Sequence, residues 1–401
     1  MLDFDYTIIS SQNTSSTASA FIYPVFNIGL DLNDNDVVDS WEMPLAQKFC
    51  PSFKLHSTTD WIAPEPVEFI NADKTSGLWF AVINTNGQKV GDYPVTDEAL
   101  FDPPVSNFHP WINNPEAAWE TLTWDPYDYQ GRPPGKSYGD YHLRFHFGFN
   151  GNPNPETWSP LYQTERDNNN FRHTVYAHFF LHNNNPVIQY WMFYPYNDGY
   201  NNHEGDWEHI NVHIDSQNPL IANIIQVDYY FHKKVQTRNF DDFEVEDGTH
   251  PVVYVGGECF DIDWPATCEP GEATGGSYPS AGIWNDVGPS GYDEYVSGSG
   301  PYIPYNAFID GDPNDRRGIV ILPEPSDIDY SSNLHMRWFK AAIPWGLWEA
   351  NSPGEWLQPF LYIWPTIEGD VGNDGPPGPP YNSGWNTIED NNSFSNYTFR
   401  P

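Results

Sequence analysis

The sequence predicts an all-β protein: a β-sandwich with long loops and a few short helices, preceded by a single calcium loop. Three observations carry this. Strand-like runs recur along the chain, and the one from Asp206 to Ile214 alternates with a period of two. The 38 prolines and 31 glycines are spread through the 401 residues, which interrupts helices and supplies turns. The 17 Trp, 25 Tyr and 25 Phe give short strands enough apolar surface to bury, so the chain is not a disordered one.

The charge balance narrows the partners. Seventeen Lys and Arg against 55 Asp and Glu leave a formal net charge of −38. Such a surface repels nucleic acid and anionic membranes and attracts cations. It also suits solubility in a salty or extracellular medium. No apolar run reaches the roughly 18 residues that a membrane-spanning helix needs. Residues 1–30 lack the basic start and apolar block of a signal peptide.

In chain order, residues 6–28 carry no charge, which is anomalous in so acidic a sequence. They read either as strands covered by the body or as an arm that adds to another subunit's sheet edge, a route to self-assembly. The calcium loop follows at Asp31–Glu42, D-L-N-D-N-D-V-V-D-S-W-E. Its oxygen-bearing residues have the spacing of an EF-hand. Asp31, Asn33 and Asn35 offer side-chain oxygens and Val37 a backbone carbonyl. Asp39 binds directly or through water, and Glu42 binds with both oxygens. Asp36 replaces the glycine of the sharp turn, and Asp tolerates the left-handed conformation better than most residues. W-E-M-P-L-A-Q-K-F predicts a short exiting helix whose start is trimmed by Pro44. The loop resembles the solitary calcium repeats of dockerin and thrombospondin type. Ca2+ is its expected ion, and an unpaired site suits a structural staple. The expected division is residues 1–44, arm plus loop, and residues 45–401, the sandwich body.

Three cysteines are too few for a disulfide framework. Cys259 and Cys268 are the candidates for a local disulfide, and Cys50 reads as a small buried apolar residue. Asn13, Asn391 and Asn396 stand in N-x-S/T contexts. Strands are expected at Gly77–Ile83, His142–Phe149, Arg172–Leu181, Val187–Tyr194, Pro219–His232 and His250–Val255. His173, His178 and His182 read as surface or satisfied core residues. Residues 256–315 read as a long insertion or a set of surface loops. Within them, Asp310, Asp312, Asn314 and Asp315 form an acidic turn. Gly375–Pro380 reads as a rigid loop. There is no Gly-rich phosphate loop, no G-x-S-x-G elbow and no Cys/His nucleophile pair.

The chemistry concentrates at Asn202–Asp215, N-H-E-G-D-W-E-H-I-N-V-H-I-D. Alternation puts Asp206, Glu208, Ile210, Val212 and Ile214 on one face of a strand. Trp207, His209, Asn211 and His213 take the other. The first face is apolar at its far end and acidic at its mouth. Two adjacent carboxylates repel unless a cation or proton sits between them. A divalent cation held by His203, Asp206 and Glu208 is therefore expected, with Asn197 or Asp198 from the preceding turn as a further ligand. Ca2+, Mg2+, Mn2+ and Zn2+ all remain open.

F-Y-P-Y-N-D…N-H-E-G-D-W-E-H-I-N-V resembles the signature of the vacuolar protein sorting-associated protein 62 family. L-A-Q-K-F-C-P at 45–51, A-P-E-P-V-E at 63–68, H-P-V-V-Y-V at 250–255 and G-P-P-G-P-P-Y-N-S-G-W at 375–385 extend the likeness. The chain departs from that family at Gly256, Gly257, Glu258 and Cys259, where the pattern has Gly-Ser-His-Ala. The centre also resembles the necrosis- and ethylene-inducing-like cytolysins, with Gly205 in place of that group's second histidine. This second resemblance implies a β-sandwich, a divalent cation at His203, Asp206 and Glu208, and recognition of sphingolipid headgroups.

Three functions follow as expectations. The first is a secreted or cell-surface cation-dependent binding protein for a glycan or glycoconjugate headgroup. The second is a structural subunit of an extracellular fibre or surface layer, assembled through the N-terminal arm. The third is a metal-dependent hydrolase with Glu204 or His209 as base.

Overall fold

The computed structural model describes residues 31–33, 35–56 and 63–67, the strands within 78–95 and 141–145, and most of 172–328. It also describes parts of 336–339 and 378–388, and residues 399–400. Several expectations lie outside the described residues. They are the uncharged stretch 6–28, Asn13, Asp198, Cys268, the acidic turn 310–315, Asn391 and Asn396, with the side chains of His203, Glu204 and Cys259.

The structure is an all-β sandwich. A helix, α1 (Asp39–Lys48), leads into β1 (Ser52–Lys54). Then come β2 (Leu78–Ile83), β3 (Lys89–Val95), β4 (Tyr141–Phe145), β5 (Val175–His182), β6 (Asn185–Asn197) and β7 (His203–Ile214). They are followed by β8 (Ile224–Phe231), β9 (Lys234–Asn239), β10 (Val245–Glu246), β11 (His250–Val255) and β12 (Gly257–Cys259). The remainder are β13 (Ser277–Tyr278), β14 (Gly282–Asn285), β15 (Asp293–Val296), β16 (Tyr302–Ile303), α2 (Asn306–Ile309), β17 (Ile319–Leu322) and β18 (Phe399–Arg400).

One layer is the sheet β17-β5-β6-β7-β8-β9, and the facing layer is β10-β11-β1-β16 with β13 on β11. A four-stranded sheet β12-β15-β14-β18 and a three-stranded sheet β3-β2-β4 complete the described strands. The first layer is a run of antiparallel hairpins, closed at one edge by the parallel pairing of β17 with β5. Asn183 and Asn184 take φ 51° and 66° between β5 and β6. That is the two-residue turn whose twist matches a hairpin, and Asn tolerates it.

Between the layers lies one core. β6 contributes Ile188, Tyr190 and Met192, and β7 contributes Ile210, Val212 and Ile214. The facing layer supplies Phe53, Val253, Val255 and Ile303, and α1 adds Leu45 and Ala46. The period-two reading of β7 therefore holds. Its second face is covered as well: Trp207, His209, Asn211 and His213 are all buried. Trp338 stacks on Trp207 at 5.6 Å, and Gly384 lies against the ring of His209.

Two sequence readings change. Pro44 lies inside α1, five residues after its start at Asp39, and does not trim it. The helix survives the missing N–H because Leu45 and Ala46 are held in the core. The stretch 256–315 carries β12 to β16 and α2, and Thr274–Tyr278 is buried.

Candidate functional site: the acidic mouth of the central hairpin

β6 and β7 form the hairpin expected around the acidic stretch, with Tyr194 opposite Asp206, Met192 opposite Glu208 and Asn197 opposite His203. Gly205 takes φ 62°, a conformation that favours glycine where the cytolysin pattern has histidine. Asp206 and Glu208 point to the sandwich side but are only 5% and 7% exposed.

The site is roofed from a distant part of the chain. The Gly256 N–H donates to the Gly276 carbonyl at 2.9 Å, and the Thr274 N–H donates to the Gly256 carbonyl at 3.0 Å. This backbone pairing sets Gly275 over the mouth. A Cβ at Gly275 would stand 2.9 Å from Tyr194 Cδ2, 3.0 Å from Asp206 Oδ2 and 3.1 Å from Glu208 Cγ. One ring, one carboxylate and one carboxylate stem thus meet at a single point, and only glycine leaves it open.

Two oxygens beside the carboxylates stand out. The Asn197 amide donates to Asp206 Oδ2 at 3.0 Å, while Asn197 Oδ1 has no hydrogen-bond partner among the described residues. Tyr194 Oη has none either. Burial, then the charges of Glu208 and Asp206, push the Tyr194 phenol well above its usual range, so it keeps its proton. Two buried carboxylates beside oxygens that lack a hydrogen-bond partner among the described residues suit a cation. Among the described residues no group of three His, Cys, Asp or Glu side chains forms a metal-holding cluster. Sequence reasoning included Asn197 but missed Tyr194 and Gly275. Tyr194 could have been found from the hairpin register, whereas Gly275 sits in a stretch with no local signal.

His209 is not part of this mouth. It lies on the opposite face, stacked between Trp191 at 4.3 Å and Tyr230 at 4.0 Å. Burial lowers its pKa to about 3, and Gly384 closes its open edge. A base for hydrolysis at the carboxylates cannot come from there. The same face carries a hydrogen-bonded layer. Gln189 donates to Asn211 Oδ1 at 3.0 Å and to the Gly384 carbonyl at 2.8 Å, and His213 pairs with Asp228 at 2.6 Å. His178 is a satisfied core residue, bonded to the Leu322 carbonyl and Asn386 and stacked on Trp385 at 3.7 Å.

The N-terminal loop folds around Glu42. Asn33 and Asn35 both turn their amide nitrogens to Glu42 Oε1, at 3.0 and 2.8 Å. Asp31 accepts from the backbone N–H groups of Asn35 and Asp36, and Asp39 accepts from that of Leu32. Asp36 takes φ 64°, the left-handed turn that the loop spacing requires. Glu42 is 6% exposed, and its burial raises its pKa. Asn33 Oδ1 is buried with no hydrogen-bond partner among the described residues. Asp31, Asn33, Asn35 and Glu42 are thus brought together around one carboxylate, and Val37 joins the core. Cys50 is buried and outside any disulfide.

No family model matches the chain, and no curated protein matches it. Solved structures that resemble part of it include a non-toxic HaNLP3 protein, at 12% identity and TM-score 0.21 over 41% of this chain and 67% of that one. Necrosis and Ethylene inducing Protein 2 from the causal agent of cocoa's Witches Broom disease overlaps at 14% identity and TM-score 0.22, over 42% of this chain and 59% of that one. NLPPya in complex with mannosamine overlaps at 18% identity and TM-score 0.20, over 42% of this chain and 67% of that one. At these TM-scores the likeness establishes neither the fold nor the function of this chain.

Proposed function

We propose that this is a cation-dependent binding protein of the extracellular space or cell surface, whose ligand is a glycan or glycoconjugate headgroup. One observation carries the reading. Two nearly buried carboxylates, Asp206 and Glu208, stand beside two buried oxygens, Tyr194 Oη and Asn197 Oδ1, that have no hydrogen-bond partner among the described residues. A divalent cation offsets the repulsion and takes up the oxygens. His203 and Asp198 are the further ligands proposed. The ligand class follows from charge. A surface of net charge −38 disfavours anionic partners, whereas sugar hydroxyls are neutral oxygen donors that can replace water on a hard cation. The loop Asp31–Glu42 is proposed to hold Ca2+ as a staple for α1. Among the described residues no helix is long and apolar enough to cross a membrane.

The second reading, a structural subunit of an extracellular assembly, is favoured by how little of Asp206 and Glu208 is exposed beneath Gly275. A glycan array separates the two. The full chain in Ca2+ is expected to retain a set of glycans that chelator and Asp206→Ala both release. Retention that survives both treatments contradicts cation-dependent binding, and absence of any glycan ligand favours the structural subunit.

A further inference from the structure

Packing alone does not account for Tyr194. Its side chain is fully buried and its ring belongs to the core. Four residues earlier on the same face, Tyr190 is equally buried and donates to the Ala46 carbonyl at 2.8 Å. On β8, the Tyr229 hydroxyl reaches the Val252 carbonyl at 3.4 Å. Tyr194 Oη has no such partner among the described residues. A buried hydroxyl left without a bond costs about 1–3 kcal/mol, so phenylalanine would serve packing better. The charges of Glu208 and Asp206 both act on this phenol. Tyr194 lies directly across the ladder from Asp206, with Glu208 on the diagonal, and the ring meets both side chains beneath Gly275. Asn197, 4% exposed, leaves its Oδ1 unpartnered at the same place while its amide holds Asp206.

We propose that Tyr194 is a ligand of the central cation, its protonated phenol oxygen joining Asn197 Oδ1, Asp206 and Glu208 in an oxygen-rich set that suits a hard ion such as calcium or manganese. This rests on the reading of Asp206 and Glu208 as a cation site. A neutral phenol adds a donor without adding charge to a mouth that already holds two carboxylates. Its O–H remains available to a carboxylate oxygen, so the proton is accounted for when the oxygen turns its lone pair to the ion. The arrangement also explains why a costly unpartnered hydroxyl is kept: the cost falls on the cation-free protein and is recovered on binding.

The test uses the full chain carrying Glu42→Gln, which silences the N-terminal loop, and Mn2+ alone as probe, titrated by electron paramagnetic resonance. Tyr194→Phe is expected to weaken Mn2+ binding at least tenfold, about 1.4 kcal/mol. Its melting temperature in chelator should equal or exceed that of the parent, because the substitution removes only an unpartnered hydroxyl. Mn2+ affinity within twofold of the parent overturns the proposal. So does a clear fall of the chelated melting temperature, which would make Tyr194 a packing residue. Asp206→Asn separates the two levels. If Asp206→Asn loses Mn2+ while Tyr194→Phe keeps it, only the role of Tyr194 fails. If Asp206→Asn binds Mn2+ like the parent, the cation reading fails and takes Tyr194 with it.

Discussion

Gly275 governs the central site at the level of single atoms. Any side chain there must displace Tyr194, Asp206 or Glu208, since a Cβ would already be within 2.9–3.1 Å of all three. Gly275→Ala is expected to cost about 1–3 kcal/mol in denaturant unfolding, the range for overpacking, and to weaken cation binding in parallel. A neutral effect on both would show that the roof is free to move. His56 makes a second residue-scale prediction. It is 2% exposed, its Nδ1 accepts from the Ser297 N–H at 3.4 Å, and burial lowers its pKa from 6.5 to about 4. The unfolded chain therefore takes up a proton that the folded one refuses. The stabilisation is complete above pH 6.5 and is lost as the pH falls toward 4. His56→Gln should flatten the fall of unfolding free energy between pH 6.5 and 4.5, as measured by urea titration; an unchanged slope would assign that fall to other groups. At this scale much was legible in the sequence. Period-two alternation put Asp206 and Glu208 on the face of Ile210, Val212 and Ile214, where they are. Tyr194 escaped because its place opposite Asp206 follows from the hairpin register, which the alternation of a single strand does not give.

At the scale of elements, the turn within Asp31–Glu42 and the central hairpin were the most readable parts, for different reasons. The loop carries its oxygen-bearing residues at fixed spacing within one short segment, and Asp36 adopts the left-handed turn that spacing demands. The hairpin is written in alternation and in the Asn183–Asn184 turn before it. One polar face was harder to read. Trp207, His209, Asn211 and His213 gave no sign of being buried, because their cover comes from Trp338 and from Gly384–Trp385, far along the chain. The loop also touches the rest of the sheet: Gln217 donates to the Asp36 carbonyl at 2.6 Å, and Lys48 donates to the Pro219 and Ala222 carbonyls at 2.8 and 2.6 Å. Ca2+ held at Asp31–Glu42 should therefore stabilise more than α1. Chelator is expected to lower the melting temperature of the full chain, and Asp31→Ala or Glu42→Ala should reproduce most of that fall. Melting curves indifferent to chelator and to both substitutions would remove the staple from the account.

For the whole molecule, the fold class was readable and the assembly of its layers was not. Turn density and aromatic content are properties of the entire chain and pointed to a sandwich. The parallel pairings of β1 with β11 and of β17 with β5 join segments far apart in sequence, and nothing local announces them. Those pairings explain why the scattered motif pieces matter. The segment ending α1, the strand β11 and the stretch 378–386 all gather on the two sides of the β6–β7 hairpin. A net charge of −38 favours the approach of cations over anions to the molecule as a whole. The central claim, that this mouth holds a divalent cation through Asp206 and Glu208, has a direct measurement. Elemental analysis of the full chain carrying Glu42→Gln, dialysed against trace Ca2+ and Mn2+, should find one equivalent of bound divalent cation, on the order of a single site. Adding Asp206→Ala should remove it while the circular dichroism of the sandwich persists. Metal retained at full stoichiometry in the Asp206→Ala protein would contradict the account.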